Sequence, residues 1–217
     1  MSDFTDEVLR VNQRYLDEVV EAFDFCPYAR GARQAGEVAR RVVLERDEAA
    51  AANACVELIE PLAASVSTVI GLVILPQLAS GSDAFDRFVH RVRELDLARR
   101  RPAPFAMAAF HPDGAYATDT PERLVMLLRR APDPTIQLVR FSALQAVKGG
   151  APTNKKFLFQ WNARALAELE KRAHERSPSE KIAQNNFATV AREGEARIRA
   201  VIDDIRRDRD RSYARFA

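Results

Sequence analysis

The sequence predicts an α/β fold, in which about four strands form a parallel or mixed sheet layered with helices, and a C-terminal helical extension. Three observations predict it. Short β-like runs alternate with amphipathic helical segments over residues 1–148. The composition, 47% apolar and 29% charged residues, is that of an ordinary globular domain. Gly149, Gly150 and Pro152 interrupt the pattern, so we expect an α/β domain over 1–148 and a helical extension over 149–217.

The first two predicted helices flank a short strand. Apolar residues of the first helix recur at spacings of three and four: Val8, Val11, Tyr15, Leu16, Val19 and Phe23. This helix should end near Phe25, because Pro27 disfavours helical geometry at Cys26. A β-like run over 41–45 follows. An Ala- and Glu-rich helix then spans 47–60, where Pro61 is expected to end it.

Three further strands are predicted, each followed by a helix. The Val- and Ile-rich run over 67–75 is the clearest strand, and the other two are expected over 105–110 and 135–139. Ser82 is the predicted N-cap of the helix after the first of these strands. Thr120 and Pro121 suit the start of a helix that runs through Arg129, and residues 142–148 form another helix.

The extension is predicted to be helical over 161–172 and over 179–211. It is basic, because residues 151–217 contain 15 Lys/Arg and 10 Asp/Glu, in a chain with a net charge of +2. Its last helix carries a narrow apolar stripe formed by Val190, Ile198, Val201, Ile202 and Ile205. The stripe must cover either the surface of the domain or a second subunit, so a homodimer through these helices is one alternative.

Composition and terminal sequence exclude several classes of protein. No apolar run approaches the roughly 20 residues that span a bilayer, and the acidic N-terminus lacks the features of a secretory signal. We therefore expect a cytoplasmic protein without a membrane partner.

The sequence also bears on cysteine chemistry, nucleic-acid binding and known cofactor motifs. The two cysteines are expected to be reduced thiols. The small net charge makes nucleic acid an unlikely partner. Phosphate-loop, dinucleotide, His-Glu-x-x-His and Cys-x-x-Cys signatures are all missing.

Cys26 is the first candidate for chemistry. It follows the first helix in Phe25-Cys26-Pro27-Tyr28, and Arg30 and Arg33 come soon after it. Nearby arginines favour a thiolate, which would act as a nucleophile or a metal ligand. The negative end of the helix dipole opposes ionisation, however, and free cysteines are usually buried. Residue type alone therefore favours a structural role.

His111 is the second candidate. It ends a predicted strand before Pro112, Asp113 and Gly114, and sites in α/β sheets collect at strand ends. A general acid or base and a histidine that merely caps the strand are equally good interpretations. A zinc site would have to combine Cys26 and His111 with Asp24 or Asp113, which is a weak pattern, so no metal is predicted.

Arg130 is the third candidate and lies in the turn before the last strand. It would either pair with a carboxylate or phosphate, or lie solvated at its helix end.

The order of these motifs resembles one family. The motifs are Phe25-Cys26-Pro27-Tyr28-Ala29, Ala109-Phe110-His111-Pro112, Thr120-Pro121, and Arg130-Ala131-Pro132-Asp133-Pro134-Thr135 continuing to Leu138-Val139-Arg140. Over about residues 8–148 the chain resembles the bacterial family catalogued as domain of unknown function 1415. The resemblance implies that Cys26 and His111 belong to one recurring constellation. It implies no activity, and it does not extend past Gly149.

Three hypotheses follow from the sequence. The first is a small-molecule enzyme in which Cys26 is the nucleophile, His111 the general acid or base, and Arg30 and Arg130 anchor an anionic substrate. Tyr28 and Asp113 are the other expected substrate-binding residues. The second is a module that binds a metal or haem through Cys26-Pro27. The third is a protein that binds a partner or dimerises through its C-terminal helices. The sequence names no cofactor.

Overall fold

A mixed four-stranded sheet forms the centre of the molecule, which confirms the predicted α/β class. The structure is a computed structural model that describes residues 3–26, 29–148 and 178–216. The strands are β1 (Val38–Val42), β2 (Ile70–Ile74), β3 (Phe105–Phe110) and β4 (Thr135–Arg140). Their spatial order is β1-β2-β4-β3, with β1 parallel to β2 and β4 antiparallel to both of its neighbours. The ends of β1, β2 and β3 therefore lie at the same edge of the sheet as the start of β4.

Helices surround this sheet. They are α1 (Phe4–Tyr15), α2 (Ala29–Gln34), α3 (Glu48–Ala64), α4 (Ser82–Arg99), α5 (Pro121–Leu128), α6 (Phe141–Lys148), α7 (Pro178–Glu193) and α8 (Glu195–Tyr213). A π-helical segment, Leu16–Glu21, continues α1, and a 3-10 turn, Ala214–Phe216, follows α8. The helix predicted over 161–172 lies outside the described residues. Within the described part of the chain, no helix has the length and apolarity to cross a membrane.

Each face of the sheet buries its own core. On one face α3 and α4 cover the sheet, with Phe85, Phe88 and Phe105 fully buried between them. Helix α3 approaches closely because β2 has Gly71 there. A Cβ at that position would lie 3.2 Å from Leu62 Cδ1 of α3 and 3.0 Å from Leu138 Cδ1 of β4. The other face buries side chains of α1, the π-helical segment, α5, α7 and α8. The sheet is thus the middle layer of three.

The apolar stripe of α8 covers the domain's own surface. Ile198, Ile202 and Ile205 are buried in the core that α1 and α5 share. These residues therefore pack within their own chain, and a homodimer through the C-terminal helices stays a prediction. The single helix predicted over 179–211 is two helices, because Gly194 has a φ of 84° and ends the first of them. Charged pairs at the surface also join α8 to α1, where Arg10 and Arg14 contact Asp208 at 2.9 and 2.8 Å.

Several predicted boundaries were wrong, and for three of them the structure gives a local reason or a new boundary residue. Strand β1 begins at Val38 rather than at residue 41, because the Glu37 carbonyl already accepts from Val69 N. Helix α4 begins at Ser82 itself, and Gly81 is its N-cap. Helix α3 continues through Pro61 to Ala64. Its last carbonyls are bound by Arg140 from β4, whose Nη2 donates to Leu62 O at 3.0 Å and to Ser65 O at 2.9 Å. The helix end is therefore set by a residue that is distant in sequence, and not by the local proline on which the prediction relied.

Candidate functional site

The turn that carries Cys26 is built from two backbone irregularities. The π-helical segment ends with Phe25 N bonded to Val20 O at 3.0 Å, five residues back. Asp24 then has a φ of 52°, a left-handed conformation that aspartate tolerates better than most residues. Phe25 consequently enters the core, and the half-buried Cys26 accepts a bond from Ala29 N at 3.0 Å through its carbonyl. Pro27 and Tyr28 lie outside the described residues.

An open cleft of about 650 Å³ lies between α1, the π-helical segment, α2 and β1. We call it the arginine cleft. Its lining residues are Gln13, Leu16, Glu21, Arg30, Arg33, Gln34, Val38 and Arg40. The cleft thus combines three guanidinium groups with a single lining carboxylate.

Two of the three arginines share carboxylates. Arg33 Nε lies 2.8 Å from Glu21 Oε1, and Arg33 Nη2 donates to Asp17 Oδ1 at 2.6 Å. Arg30 lies 3.7 Å from the other oxygen of Glu21 and donates to the Glu21 backbone carbonyl at 3.2 Å. This contact also closes the loop in which Cys26 lies. Arg30 remains 65% exposed.

Arg40, the third arginine of the cleft, forms no ion pair with a carboxylate of the described residues. Its Nη1 donates to the backbone carbonyl of Leu9 at 3.0 Å, and no carboxylate of the described residues lies within 4.0 Å of it. Burial, and next the charge of Arg33, lower the pKa of Arg40, and the charge of the nearby Asp17 acts against that shift. Arg33 Nη1 is buried without a hydrogen-bond partner among the described residues. The arginine cleft therefore holds positive charge that the described side chains leave unbalanced.

A second, smaller cavity of about 310 Å³ lies where β2 and β3 end and β4 begins. We call it the His111 pocket. The loops after β2 and β3, the turn before β4, and α8 line it. Its lining residues are Pro76, Gln77, Leu78, Ala79, Ser80, His111, Pro112, Asp113, Pro132, Pro134, Arg206, Arg209 and Asp210.

The His111 ring is held at both nitrogens. Nε2 lies 2.9 Å from the carbonyl of Ser80, and Nδ1 accepts from Asp113 N at 3.1 Å. Because a carbonyl only accepts and a backbone N–H only donates, the proton belongs on Nε2 and the ring is neutral. The residue is 5% exposed, and its ring lies against Phe85. Neither ring nitrogen is open to a substrate, so this geometry suits a histidine that fixes two loops.

The loop after β3 is tied to two other elements by arginines. Arg130 Nε donates to Pro112 O at 2.9 Å, and its guanidinium lies over the Tyr116 ring. From α8, Arg206 Nη2 donates to Asp113 Oδ1 at 2.8 Å. Arg130 and Asp113 were predicted as substrate-binding residues, and in the structure both hold this loop in place.

Asp133 forms the most buried charged contact of the His111 pocket. Its carboxylate is 1% exposed and accepts from Arg209 Nε and from Tyr213 Oη, each at 2.8 Å. Burial raises the pKa of Asp133, and the charge of Arg209 acts against that rise. Burial and then the charge of Asp133 raise the pKa of Tyr213. This network anchors α8 to the turn before β4.

The structure does not bring the predicted site residues to one cavity. Arg30 lines the arginine cleft, whereas His111 and Asp113 line the His111 pocket. Cys26 is a lining residue of neither cavity, although Glu21 and Arg30 of the cleft enclose its loop. Among the described residues, no group of three or more His, Cys, Asp or Glu side chains is placed to hold a metal ion.

The sequence pattern singled out Arg30, Arg33 and Asp113 but missed three other arginines that line the two cavities. Arg40 was missed because β1 was predicted to begin one residue after it. An alternation of Val38, Arg40 and Val42 was the available signal, since it places one arginine on a helix-covered face of an edge strand. Arg206 and Arg209 were missed because nothing in the sequence says which surface α8 covers.

Comparison with known proteins gives one result. The family model described as "Protein of unknown function (DUF1415)" matches residues 7–176. The chain belongs to this family. The match confirms the resemblance and extends it from residue 148 to residue 176. It contains all lining residues of the arginine cleft and ends before α7 and α8, and α8 contributes Arg206 and Arg209 to the His111 pocket. Neither a curated protein nor a solved structure matches the chain.

Proposed function

We propose that this protein binds a small anionic molecule in the arginine cleft. The observation that carries the proposal is Arg40, a largely desolvated arginine beside Arg33 and without a carboxylate within 4.0 Å among the described residues. A partly buried charge without an ion-pair partner is costly, and a bound carboxylate or phosphate would lie closer to Arg40 than Asp17 does and would supply that partner. Guanidinium groups suit both anions because their N–H groups bind two oxygens at once.

The other lining residues suggest that the ligand also has polar and apolar parts beside its anionic group. Gln13 and Gln34 add side-chain amides, and Leu16 and Val38 add apolar surface. A cleft of this size accommodates a molecule of metabolite dimensions. The ligand class that fits best is therefore a small phosphorylated or multiply carboxylated compound.

We further propose that any chemistry on this ligand depends on Cys26. His111 is the weaker candidate, because both of its ring nitrogens are engaged and it belongs to a different cavity. Cys26 lies in the loop that Glu21 and Arg30 close, four residues before Arg30. A positive cleft beside a thiol favours its thiolate form, which is the nucleophilic species.

Titration calorimetry with inorganic pyrophosphate and with citrate tests the binding proposal. We expect the wild-type chain to bind at least one of them, and Arg40→Gln to weaken that affinity about tenfold or more, since a hydrogen bond to a charged group contributes about 1.5–3 kcal/mol. Arg206→Gln is the matched control, because it removes an arginine of the His111 pocket and should leave the affinity unchanged. Absence of binding, or equal affinity in Arg40→Gln, would refute the proposal.

Alkylation with iodoacetamide near pH 8 tests the role of Cys26. Cys55 is an internal control, because burial raises its pKa to about 12 and keeps it a protonated, inaccessible thiol. We expect one labelled cysteine in the folded chain and two after unfolding, with Cys26→Ala losing the native label. Pyrophosphate should slow the labelling of Cys26. A rate that does not change at saturating pyrophosphate would separate Cys26 from the ligand site.

The remaining hypotheses stay predictions. Binding of haem or a metal through Cys26-Pro27 is tested by absorbance spectra during titration, and a homodimer by the mass of the protein in solution. The cytoplasmic location and the exclusion of nucleic acid likewise stay expectations from the sequence.

A further inference from the structure

Strand β1 is an edge strand of the sheet. It pairs with β2 on one side, and no other strand of the described residues pairs with it. Unpaired backbone groups along such an edge are a template for another extended chain. Whether β1 offers this template depends on which of its residues point away from β2.

The hydrogen bonds to β2 answer that question. Glu37 O accepts from Val69 N, and Val43 N donates to Ile74 O, so the odd-numbered residues of this stretch face β2. Successive residues of a strand direct their backbone groups to opposite sides, so Val38, Arg40 and Val42 direct theirs outward. One contact supports this assignment, because Arg40 O accepts from Arg41 Nη1 at 2.8 Å. No other bond of the described residues reaches these outward groups.

The same edge borders the arginine cleft. Val38 and Arg40 line the cleft with their side chains while their backbone groups lie along the free edge. Three arginines line the cleft, Arg30, Arg33 and Arg40, and the carboxylates Asp17 and Glu21 pair with Arg30 and Arg33. These three positive and two negative groups sum to a charge of +1, and a chain that pairs with β1 would pass beside Arg40, which forms no ion pair among the described residues.

We propose that β1 accepts an extended acidic peptide as a fifth strand, and that carboxylates of this peptide occupy the arginine cleft. The inference rests on the proposed anion-binding function and names the class of ligand. Backbone groups of Val38, Arg40 and Val42 pair with the peptide, and the arginines select acidic side chains. The bond from Arg41 to Arg40 O opens when the peptide binds.

A peptide fits this surface better than a nucleic acid does. Only a polypeptide backbone offers donors and acceptors at the spacing of the three outward residues. A nucleic acid would use the arginines and leave those backbone groups unpaired. The net charge of +2 for the whole chain also gives little general attraction for phosphate backbones.

Fluorescence anisotropy with the full chain and a labelled ten-residue peptide of alternating Glu and Val tests this proposal. We expect binding that weakens at least tenfold when the peptide amides are N-methylated, since this keeps the charge and removes the donors. Val42→Pro should weaken peptide binding by a similar factor, because it deletes one outward N–H and no bond to β2. It should leave the affinity for pyrophosphate unchanged.

Each outcome decides between the two proposals. Pyrophosphate binding without peptide binding would overturn the peptide inference and leave the anion site standing, with Arg40 and Arg41 then serving to protect an edge strand. Loss of both would overturn both. Equal binding of the N-methylated peptide would show that charge alone acts, and tighter binding of a single-stranded oligonucleotide would assign the surface to nucleic acid. Because the N-methylated peptide needs no protein variant, the test holds even if Val42→Pro fails to fold.

Discussion

The arginine cleft and the His111 pocket both contain arginines, but they differ in how many of these arginines are paired with carboxylates. In the His111 pocket, Arg206 pairs with Asp113 and Arg209 pairs with Asp133, and both nitrogens of His111 are bonded. In the arginine cleft, Glu21 is shared by two arginines and Arg40 has only a backbone carbonyl. The charged side chains of the first region are thus paired within the chain, whereas Arg40 of the second forms no ion pair among the described residues.

This difference changes the meaning of the residues that looked most reactive in the sequence. His111 has the residue type and the position of a catalytic base, yet its contacts are those of a residue that joins two loops. Arg40 has an unremarkable sequence context, yet it is the group whose charge the fold leaves without a partner. Under the anion-binding proposal, hydrogen-bond satisfaction separates structural from functional polar residues better than residue type does.

The largest expected effect is on the buried pair of the His111 pocket. Asp133→Ala removes the counter-charge of Arg209 and the acceptor of Tyr213, and removing one partner of a buried ion pair costs about 3 kcal/mol or more. We expect a loss of that size in the free energy of unfolding, measured by urea denaturation. Affinity for pyrophosphate should not change in the folded variant.

Tyr213→Phe is the matched control for this loss. It removes one hydrogen bond to Asp133 and leaves the ion pair with Arg209, so we expect a loss of about 1 kcal/mol. If Asp133→Ala costs no more than Tyr213→Phe, the ion pair does not stabilise the His111 pocket. The distinction between a His111 pocket stabilised by its ion pairs and an arginine cleft with an unpaired arginine would then be refuted.

The sequence predicted local structure where the signals are local. Strand β3 has its predicted bounds, and Thr120 is the N-cap of α5, with its hydroxyl accepting from Arg123 N at 3.3 Å. The failure at Pro61 has a different cause, because the helix is capped by Arg140, almost eighty residues later in the chain. Propensity and capping rules describe neighbours in sequence, and such a partner is outside their range.

The candidate site follows the same rule. The Cys26 turn and the strand end at His111 were found because each is a short motif. The arginine cleft was not found, because its lining comes from α1, the π-helical segment, α2 and β1, and its charge depends on which carboxylates reach which arginines. Arg30 was predicted to bind an anionic substrate, which stays a prediction, and the residues that share its cavity could not be read from spacing.

The smallest expected effect is on the stability of an arginine variant in the cleft, and it gives the sharpest test of the comparison. Burial and the charge of Arg33 disfavour the charged form of Arg40, so removing that charge should cost the fold nothing. We expect Arg40→Gln to change the free energy of unfolding by less than about 0.5 kcal/mol, because relief from burial of the charge and from repulsion by Arg33 offsets the lost hydrogen bond to the Leu9 carbonyl.

Arg14→Gln is the control with the opposite expectation, because Arg14 contacts Glu18, Asp204 and Asp208 at 2.7, 3.0 and 2.8 Å. The bond to Glu18, and after it the bond to Asp208, raise the pKa of Arg14, so the fold favours its charged form. Its loss should therefore destabilise the α1–α8 contact by about 1 kcal/mol. Urea denaturation of both variants in one buffer compares their losses in the free energy of unfolding. If Arg40→Gln loses as much stability as Arg14→Gln, Arg40 is a structural residue, and the arginine cleft has no charge reserved for a ligand.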